Sequence, residues 1–339
     1  MITKVEFDHF TAFLELTLPL SSGINVLVGE NGTGKTHILK AIYALAGLKD
    51  GESLRQRLVE IFLPSGQKIR RLGYKQTQSP EGVVSISRLI NGELDRSLTV
   101  SISEQPAWPD GAVRTLDRTK GYPLDVTFIP VKEMLANAPG FRSLVTNREI
   151  HFEKVYVDII DKALLPPKKS LSDDAKSIQA ILEKILKGVV YASNEEFFLK
   201  GPHGDLEFTL LAEGLRKLGL LWVLMQNGSL LKGSVLCWDE PEANLNPSLF
   251  RDIVKILLKL QQMGVQIILS THSYALLKEF DLQTNSNDSL KYHALYRDDS
   301  DDIKVNSVER FIDISPNAIT QTFSDLYDRD VKKSLGAGV

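Results

Sequence analysis

The segment that decides the fold is rich in glycine, and it reads Gly29-Glu30-Asn31-Gly32-Thr33-Gly34-Lys35-Thr36. An apolar run over residues 24–28 precedes it, and apolar residues at helical spacing follow it from Lys35 onward. A strand, a glycine-rich turn and a helix in this order are the context that a phosphate-binding loop requires. The glycines let backbone N–H groups turn inward around an anion, and the helix dipole adds positive potential there. The segment therefore predicts a binding site for a nucleoside triphosphate.

Two side chains of this loop have the chemistry that a triphosphate needs. Lys35 is expected to reach the β- and γ-phosphates, and the hydroxyl of Thr36 is expected to be a ligand of Mg²⁺. The residues expected to contact the nucleotide are Gly29, Glu30, Asn31, Gly32, Thr33, Gly34, Lys35, Thr36 and His37.

The composition narrows the class of protein. The chain has 339 residues, of which 43% are hydrophobic and 24% are charged, as in globular proteins with an ample core. Its net charge of −3 provides no global basic field, so the charge does not indicate avid DNA binding. The single cysteine, Cys237, excludes an internal disulfide, and its apolar neighbours predict a buried side chain.

The sequence contains no signal for a membrane. No apolar segment approaches 18 residues without a charge, so we expect no membrane-spanning helix and no membrane partner. The first seven residues alternate like a strand and do not resemble a signal peptide. We therefore expect a cytoplasmic protein.

The periodicity of apolar residues divides the chain into three parts. Residues 1–130 are predicted to contain the opening strands, the loop and a β-rich region over 50–125, with a hairpin turn at Asn91-Gly92. Residues 131–200 are predicted to form a small helical lobe. A hairpin is predicted over residues 191–210, with its turn at 201–205. The last part, residues 201–339, alternates helices and buried strands from residue 211 onward, which predicts a parallel sheet with ligands at the carboxyl ends of its strands.

A second motif supplies carboxylates to complement the loop. The apolar run over residues 235–238 ends in Asp239 and Glu240, the Walker B pattern. Asp239 is expected to hold Mg²⁺ from the side opposite to Thr36. Glu240 is free to take a proton from an attacking water as general base. This pair predicts hydrolysis of the triphosphate.

A third motif is the end of another buried strand. Gln266 and the apolar residues 267–269 lead into Ser270, Thr271, His272 and Ser273. His272 is expected to hydrogen-bond the γ-phosphate and the attacking water, which would distinguish a triphosphate from a diphosphate.

Together these motifs resemble the ABC-type ATPases. The Asn31-Gly32 form of the loop, the run Asp239-Glu240-Pro241-Glu242 and the Ser270-Thr271-His272-Ser273 ending are similar to the branch that contains RecF, the SMC and double-strand-break repair ATPases, and the OLD-type ATPases of anti-phage systems. The resemblance implies an α/β P-loop NTPase of the ABC head type, with a β-rich part near its N-terminus and a small helical insertion. It covers residues 1–48 and 205–300 well and the middle weakly.

In the family that the chain resembles, two heads enclose two nucleotides, and each site is completed by a signature motif from the partner. The matching stretch is residues 211–219, where Ala212 stands in place of the serine of the motif and Glu213 in place of its first glycine. The missing hydroxyl leaves the N–H near Gly214 and the helix N-terminus to contact the γ-phosphate of a second copy, with Arg216 nearby.

Two further loops of the family have counterparts in this sequence. Residues 244–247 stand at the D-loop, and Asn246-Pro247 is also a good helix start with an N-cap and a first-turn proline. The place of the Q-loop glutamine has several candidates. Gln76 and Gln78 are glutamines, and Lys132 or Glu133 at a strand end would face the site in place of one.

The function expected from the resemblance is slow, Mg²⁺-dependent ATP hydrolysis that closes and opens a dimer of heads. One hypothesis is a nucleotide-gated scaffold of a bacterial anti-phage or toxin-like system, which holds a separate effector such as a nuclease or toxin. The alternative is a RecF-like maintenance ATPase that clamps duplex DNA. A transporter subunit fits less well, because the signature is altered and the chain opens with a RecF-like strand pair.

Overall fold

The computed structural model describes residues 1–74, 81–90, 93–105, 108–118, 124–148 and 150–335. Its helices are α1 (Lys35–Ala46), α2 (Leu54–Phe62), α3 (Phe141–Arg148), α4 (Lys154–Ala163), α5 (Asp173–Leu186), α6 (Glu213–Gln226), α7 (Phe250–Gln262), α8 (Tyr274–Gln283) and α9 (Ala318–Ser334). Its strands are β1 (Ile2–Phe10), β2 (Phe13–Pro19), β3 (Ile24–Gly29), β4 (Glu81–Ile90), β5 (Glu93–Gln105), β6 (Trp108–Arg118), β7 (Val126–Ile129), β8 (Val189–Ser193), β9 (Glu196–Gly201), β10 (Gly204–Glu207), β11 (Val235–Asp239), β12 (Gln266–Thr271), β13 (Leu290–Arg297) and β14 (Ile303–Val308).

A six-stranded sheet in the order β14-β13-β3-β12-β11-β7 forms the centre of the molecule. The strands from β13 to β7 are parallel, and only β14 pairs antiparallel at the edge. The predicted parallel sheet is therefore confirmed. The parallel strands end on one edge of the sheet, where their last residues come together although they are far apart in sequence.

Alternation along the central strands buries both faces of this sheet. Leu236 and Trp238 of β11 belong to the core that packs with helices α4 to α8, while Val235 and Cys237 belong to the core shared with α1 and β1. All four side chains are at most 1% exposed, as expected for a parallel strand covered on both faces. Cys237 is fully buried, as predicted.

The β-rich region is larger than the sequence suggested and is joined to the opening strands. A second sheet has the order β2-β1-β4-β5-β6, and β4 pairs with β5 so that Val84 faces Val100. The hairpin pairing is confirmed, whereas the turn at Asn91-Gly92 lies outside the described residues. The strands are not short, because β5 alone has 13 residues.

Helix α2 was not predicted, because its apolar residues were taken for part of the β-rich region. Leu54, Leu58 and Ile61 are nevertheless spaced for one helical face, and all three are buried. The hydroxyl of Ser53 accepts a hydrogen bond from Gln56 N at 3.3 Å and caps the start of the helix.

The region predicted as a helical lobe contains its predicted helices, now α4 and α5, and also strands. Strands β9 and β10 are the hairpin predicted over residues 191–210, which is confirmed. With β8 they form a three-stranded antiparallel sheet that runs across the expected boundary at residue 200. The side chains of Ile178 and Leu182 on α5 are fully buried in the same core as the central sheet. These helices therefore pack as a layer of the head.

Within the described part of the chain, no helix has both the length and the apolarity needed to cross a bilayer.

Candidate functional site

The glycine-rich loop joins the end of β3 to the start of α1 as predicted. Gly32 and Gly34 have φ of 79° and 82°, a left-handed region that glycine adopts without strain. A side chain at residue 34 would also collide with Phe13, whose ring would lie 2.5 Å from a Cβ. The hydroxyl of Thr33 donates to the carbonyl of Glu30 at 2.8 Å and closes the turn.

Lys35 is buried at the first position of α1. Its Nζ donates hydrogen bonds to the carbonyl oxygens of Gly29 and Glu30, both at 2.8 Å. Burial lowers the pKa of Lys35 to about 8, although the carboxylates of Glu240 and Asp239 act in the opposite direction. The ammonium is thus held over the loop with no direct hydrogen bond to a carboxylate among the described side chains, and it is available to a phosphate.

Thr36 and Asp239 meet although 203 residues separate them. The Thr36 hydroxyl donates to Asp239 Oδ2 at 2.9 Å, and Ser270 Oγ donates to the other carboxylate oxygen. Asp239 is 4% exposed at the end of β11. A hydroxyl and a carboxylate side by side next to a phosphate loop are the hard oxygen donors that Mg²⁺ prefers, so this pair fits the ion.

Glu240 and His272 form the second contact between motifs. His272 Nε2 lies 3.4 Å from Glu240 Oε1, and the two side chains are 33% and 35% exposed. Glu240 has a left-handed φ of 49°, and its backbone N–H donates to Ser270 Oγ at 3.2 Å. At this turn the Glu240 side chain lies beside His272.

The charge state of His272 follows from its surroundings. Burial lowers the pKa of His272, and the nearby ammonium of Lys35 lowers it further, while Glu240 and Asp239 oppose the shift. A neutral imidazole at pH 7 can both donate and accept a hydrogen bond, which suits contact with a phosphate and with water.

His37, which the sequence predicts to contact the nucleotide, packs its side chain against α2. Its ring packs against Phe62 of α2, with 5.9 Å between the ring centroids, and its Nδ1 has no hydrogen-bond partner. Burial lowers the pKa of His37 to about 4. Because α2 was not predicted, this neighbour was not foreseen, and the contact of His37 with the nucleotide stays a prediction.

The signature-like stretch begins helix α6 as predicted. Ala212 is the exposed N-cap residue, and it makes no side-chain capping bond. Gly214 is buried, and a Cβ there would lie 2.6 Å from the carbonyl oxygen of Asn244. The structure therefore gives this glycine a packing role within its own chain, beside the expected contact with the nucleotide of a second copy.

Among the described Q-loop candidates, only Glu133 has a side-chain partner in the structure. Glu133 is buried, accepts a hydrogen bond from the N–H of Leu135, and lies 3.5 Å from the Arg216 guanidinium. Burial raises the pKa of Glu133. Glu133 and Arg216 thus pair with each other, Lys132 is exposed, and Gln76 and Gln78 lie outside the described residues.

Two residues at the strand ends, Ser270 and Glu242, were given no role by the sequence motifs. Ser270 is paired with Asp239 in the register of β12 and β11, and its hydroxyl bonds both halves of the Asp239-Glu240 pair. Glu242 accepts hydrogen bonds from Thr271 Oγ1 at 2.6 Å and from His272 N at 2.8 Å. Ser270 and Glu242 both belong to the motifs in the sequence, but only the pairing of the parallel strands shows which groups they contact.

Asn246 is an N-cap, as its sequence predicted. Its Oδ1 accepts a hydrogen bond from Ser248 N at 3.0 Å, and Pro247 follows at the first helical position. The expected crossing of a dimer interface by residues 244–247 stays a prediction.

Comparison with protein families assigns two ATPase models to the chain. The model described as "AAA domain, putative AbiEii toxin, Type IV TA system" matches residues 114–278, and one described as "AAA domain" matches residues 4–117. Among curated relatives, the DNA replication and repair protein RecF of Limosilactobacillus fermentum is 39% identical over 57 residues, or 17% of this chain and 15% of that protein. RecF of Proteus mirabilis is 47% identical over 45 residues, or 13% of this chain and 12% of the relative. The chain thus matches only a small share of these relatives.

Solved structures share the fold across nearly the whole chain. An SMC head bound to the C-winged helix domain of ScpA superposes with a TM-score of 0.58 at 16% identity, covering 91% of this chain and 98% of that one. The SMC head domain from Thermotoga maritima gives a TM-score of 0.51 at 15% identity, covering 91% and 99%. The fold and the loop define a P-loop ATPase with an ABC-type head. The chain is similar to the RecF proteins over a short stretch and to the SMC heads in fold.

Proposed function

We propose that this chain hydrolyses ATP with Mg²⁺ in a head-to-head dimer and acts as a nucleotide-gated scaffold for a separate effector, such as a nuclease or toxin, in a bacterial anti-phage or toxin-like system. The observation that carries the proposal is the pair of contacts at one sheet edge. Thr36 meets Asp239 at 2.9 Å, and His272 meets Glu240 at 3.4 Å.

The residues divide the chemistry between them. The backbone N–H groups of the loop and the Lys35 ammonium hold the phosphates, and Thr36 and Asp239 hold Mg²⁺, which neutralises phosphate charge when bound. Glu240, which is not committed to the metal pair, takes a proton from water as general base. Neutral His272 donates to the γ-phosphate and orients that water, so that its contact is lost in the diphosphate state.

A second copy is proposed to complete the site with the N-terminus of its α6. Ala212 is exposed there, so backbone N–H groups and the helix dipole are presented without a hydroxyl side chain. A contact made by backbone alone is weaker than one assisted by a serine, which agrees with slow turnover.

The biological role is supported by the names of the matching proteins. The description of one matching family model names a toxin of a type IV toxin–antitoxin system. One structural neighbour is an SMC head bound to a domain of another protein, ScpA. For this chain we propose a separate protein effector, bound or released according to the nucleotide state.

The test of the proposal is Glu240→Gln. With ATP and Mg²⁺, this variant should keep nucleotide binding, lose hydrolysis by at least about 100-fold and accumulate as a dimer in light-scattering chromatography. The double variant Lys35→Ala with Glu240→Gln is the control and should stay monomeric. Hydrolysis by Glu240→Gln at the parental rate would show that the base is assigned wrongly. Purification from the native operon with and without ATP would identify the effector.

A RecF-like ATPase that clamps duplex DNA is the second candidate, because the curated relatives are RecF proteins. The net charge of −3 does not favour it. Duplex DNA that stimulates the ATPase several-fold at physiological salt, with no partner protein present, would establish this function in place of the scaffold.

A further inference from the structure

Three consecutive residues after the Walker B strand contact three different parts of the site. The first is Glu242, whose Oε1 accepts the hydrogen bonds from Thr271 Oγ1 and from the backbone N–H of His272. Its Oε2 is buried and has no hydrogen-bond partner within the described part of the chain. Since Thr271 Oγ1 in turn accepts from Ser273 N at 3.0 Å, one carboxylate oxygen fixes the backbone on both sides of His272.

The second residue, Ala243, is held by helix α6. Lys217 of α6 is 1% exposed, and its Nζ donates to the Ala243 carbonyl oxygen at 2.8 Å. Burial lowers the pKa of Lys217, while the carboxylates of Glu213 and Glu242 oppose that shift. A buried ammonium needs a hydrogen-bond acceptor and nearby negative charge, so Lys217 ties α6 to this turn.

The third residue, Asn244, touches the start of the same helix. It has a left-handed φ of 61°, and its carbonyl oxygen would lie only 2.6 Å from a Cβ at Gly214. Gly214 therefore lets the N-terminal turn of α6 rest directly on the backbone of this segment. Residues 242–244 form a bridge between the signature-like end of α6 and the strand end that carries His272.

We infer that Glu242 and Lys217 are positioning residues that couple contact at the N-terminus of α6 to the placement of His272 beside Glu240. This inference rests on the proposed function, in which a second copy binds that end of α6. A shift of α6 moves the Ala243 carbonyl through Lys217, and the adjacent Glu242 carries the shift to the backbone N–H of His272. In this proposal both residues act through the groups they hold, which are the Ala243 carbonyl for Lys217 and the Thr271 hydroxyl and His272 N–H for Glu242.

The first experiment separates hydrogen bonding from packing at residue 242. Glu242→Gln keeps an acceptor oxygen for Thr271 and His272, whereas Glu242→Met keeps only the volume. We expect Glu242→Met to lower kcat by about 10- to 100-fold, as for other supporting residues around a reactive group, with KM for ATP unchanged. Glu242→Gln should restore kcat to within about threefold of the parental value, in accord with its retained acceptor.

Two results would overturn the role of Glu242. One is a Glu242→Met variant with the parental kcat, and the other is a Glu242→Gln variant that is as impaired as Glu242→Met. Calorimetric affinity for ATP and a thermal melt of each variant establish that the folded protein is being compared, because a misfolded chain would lose nucleotide binding as well.

The second experiment tests the coupling with Lys217→Met, and Lys259→Met on α7 is its control. Turnover per parental chain should rise with protein concentration as heads meet, and Lys217→Met should remove at least half of that rise without weakening ATP binding. If turnover of the parental chain rises with protein concentration and turnover of Lys217→Met rises equally, the coupling alone is overturned. If turnover of the parental chain does not depend on protein concentration, the proposed dimer and the coupling are overturned together. The kcat of Glu242→Met still tests the placement of His272 in that case.

Discussion

The ammonium of Lys35 shows how a single side chain is prepared for an anion. It is buried, it donates to two backbone carbonyl oxygens at 2.8 Å, and burial brings its pKa down to about 8. Its neighbours Asp239 and Glu240 keep it charged at neutral pH without forming a direct hydrogen bond to it. A triphosphate therefore needs only to replace two neutral acceptors.

Lys35→Ala is expected to lose most of its affinity for ATP, because the loop loses its only buried ammonium among the described residues of the cradle. Loss of a charge-assisted contact in such a site costs about 2 to 4 kcal/mol, or roughly 30- to 1000-fold in affinity. Isothermal titration calorimetry measures this directly. Lys4→Ala on β1, where Lys4 pairs with Glu6 at 2.8 Å, is the control and should bind as the parental chain does. Unchanged affinity of Lys35→Ala would refute the assignment of the loop.

At the scale of the element, the strand, loop and helix form one rigid unit because two glycines take conformations that other residues avoid. Gly32 and Gly34 both have left-handed φ, but they differ in their surroundings. Nothing lies within 4 Å of a Cβ at Gly32, whereas the Phe13 ring blocks one at Gly34. Substitution at Gly32 therefore tests backbone strain alone, and substitution at Gly34 tests strain together with a steric clash.

Gly34→Ala should destabilise the protein more than Gly32→Ala. Left-handed φ costs an alanine about 1 to 2 kcal/mol at either position, and overpacking against Phe13 adds about 1 to 3 kcal/mol at residue 34. Urea unfolding of both variants measures the difference. Equal free energies of unfolding would contradict the close contact between the loop and the opening strand pair.

At the scale of the whole molecule, His293 ties β13 to its neighbours inside the central sheet. The side chain is fully buried, with Nδ1 2.8 Å from Ser307 Oγ and Nε2 3.2 Å from Asn25 Oδ1. Burial lowers the pKa of His293 to about 3, and Lys291 contributes to the shift. His293 is therefore protonated below about pH 6.5 in the unfolded chain, but only below about pH 3 in the folded chain.

The folded pKa of His293 is depressed, so its contribution to stability is present above pH 6.5 and is lost as the pH falls. The free energy of unfolding should decrease by about 1.4 kcal/mol per pH unit from this group as the pH falls below 6.5. Urea titrations at pH 7, 6 and 5 measure the slope. His293→Gln cannot titrate and should show a shallower slope, so identical slopes for the two proteins would contradict the prediction.

At the same scale, we expect the proposed assembly of two heads to depend on the charge at the N-terminus of α6. Ala212→Asp would place a carboxylate at the exposed N-cap, where it stabilises the helix but repels the phosphate of a second copy. We expect the variant to bind ATP with parental affinity and to lose ATP-dependent dimerisation and most hydrolysis. Light scattering with and without ATP checks this. Leu282→Asp, an exposed site on α8, is the control and should dimerise normally.

Local sequence patterns were sufficient for much of the site. The loop from Gly29 to Thr36, the carboxylates that end β11 and the histidine that follows β12 are each encoded in a short run, because strand and turn propensities act over a few residues. The buried strands and the parallel sheet followed from the same runs. Helix α2 was missed, since a short amphipathic helix among strands gives a weak periodic signal.

The amino-acid sequence by itself determined that a phosphate-binding loop, two carboxylates and a histidine would stand at strand ends. Only the tertiary structure decided that Thr36 meets Asp239, that His37 turns to Phe62 and that Glu242 holds the backbone of His272. The reason is that these contacts join residues far apart in the chain, and their partners depend on strand order and register, which a local pattern does not specify.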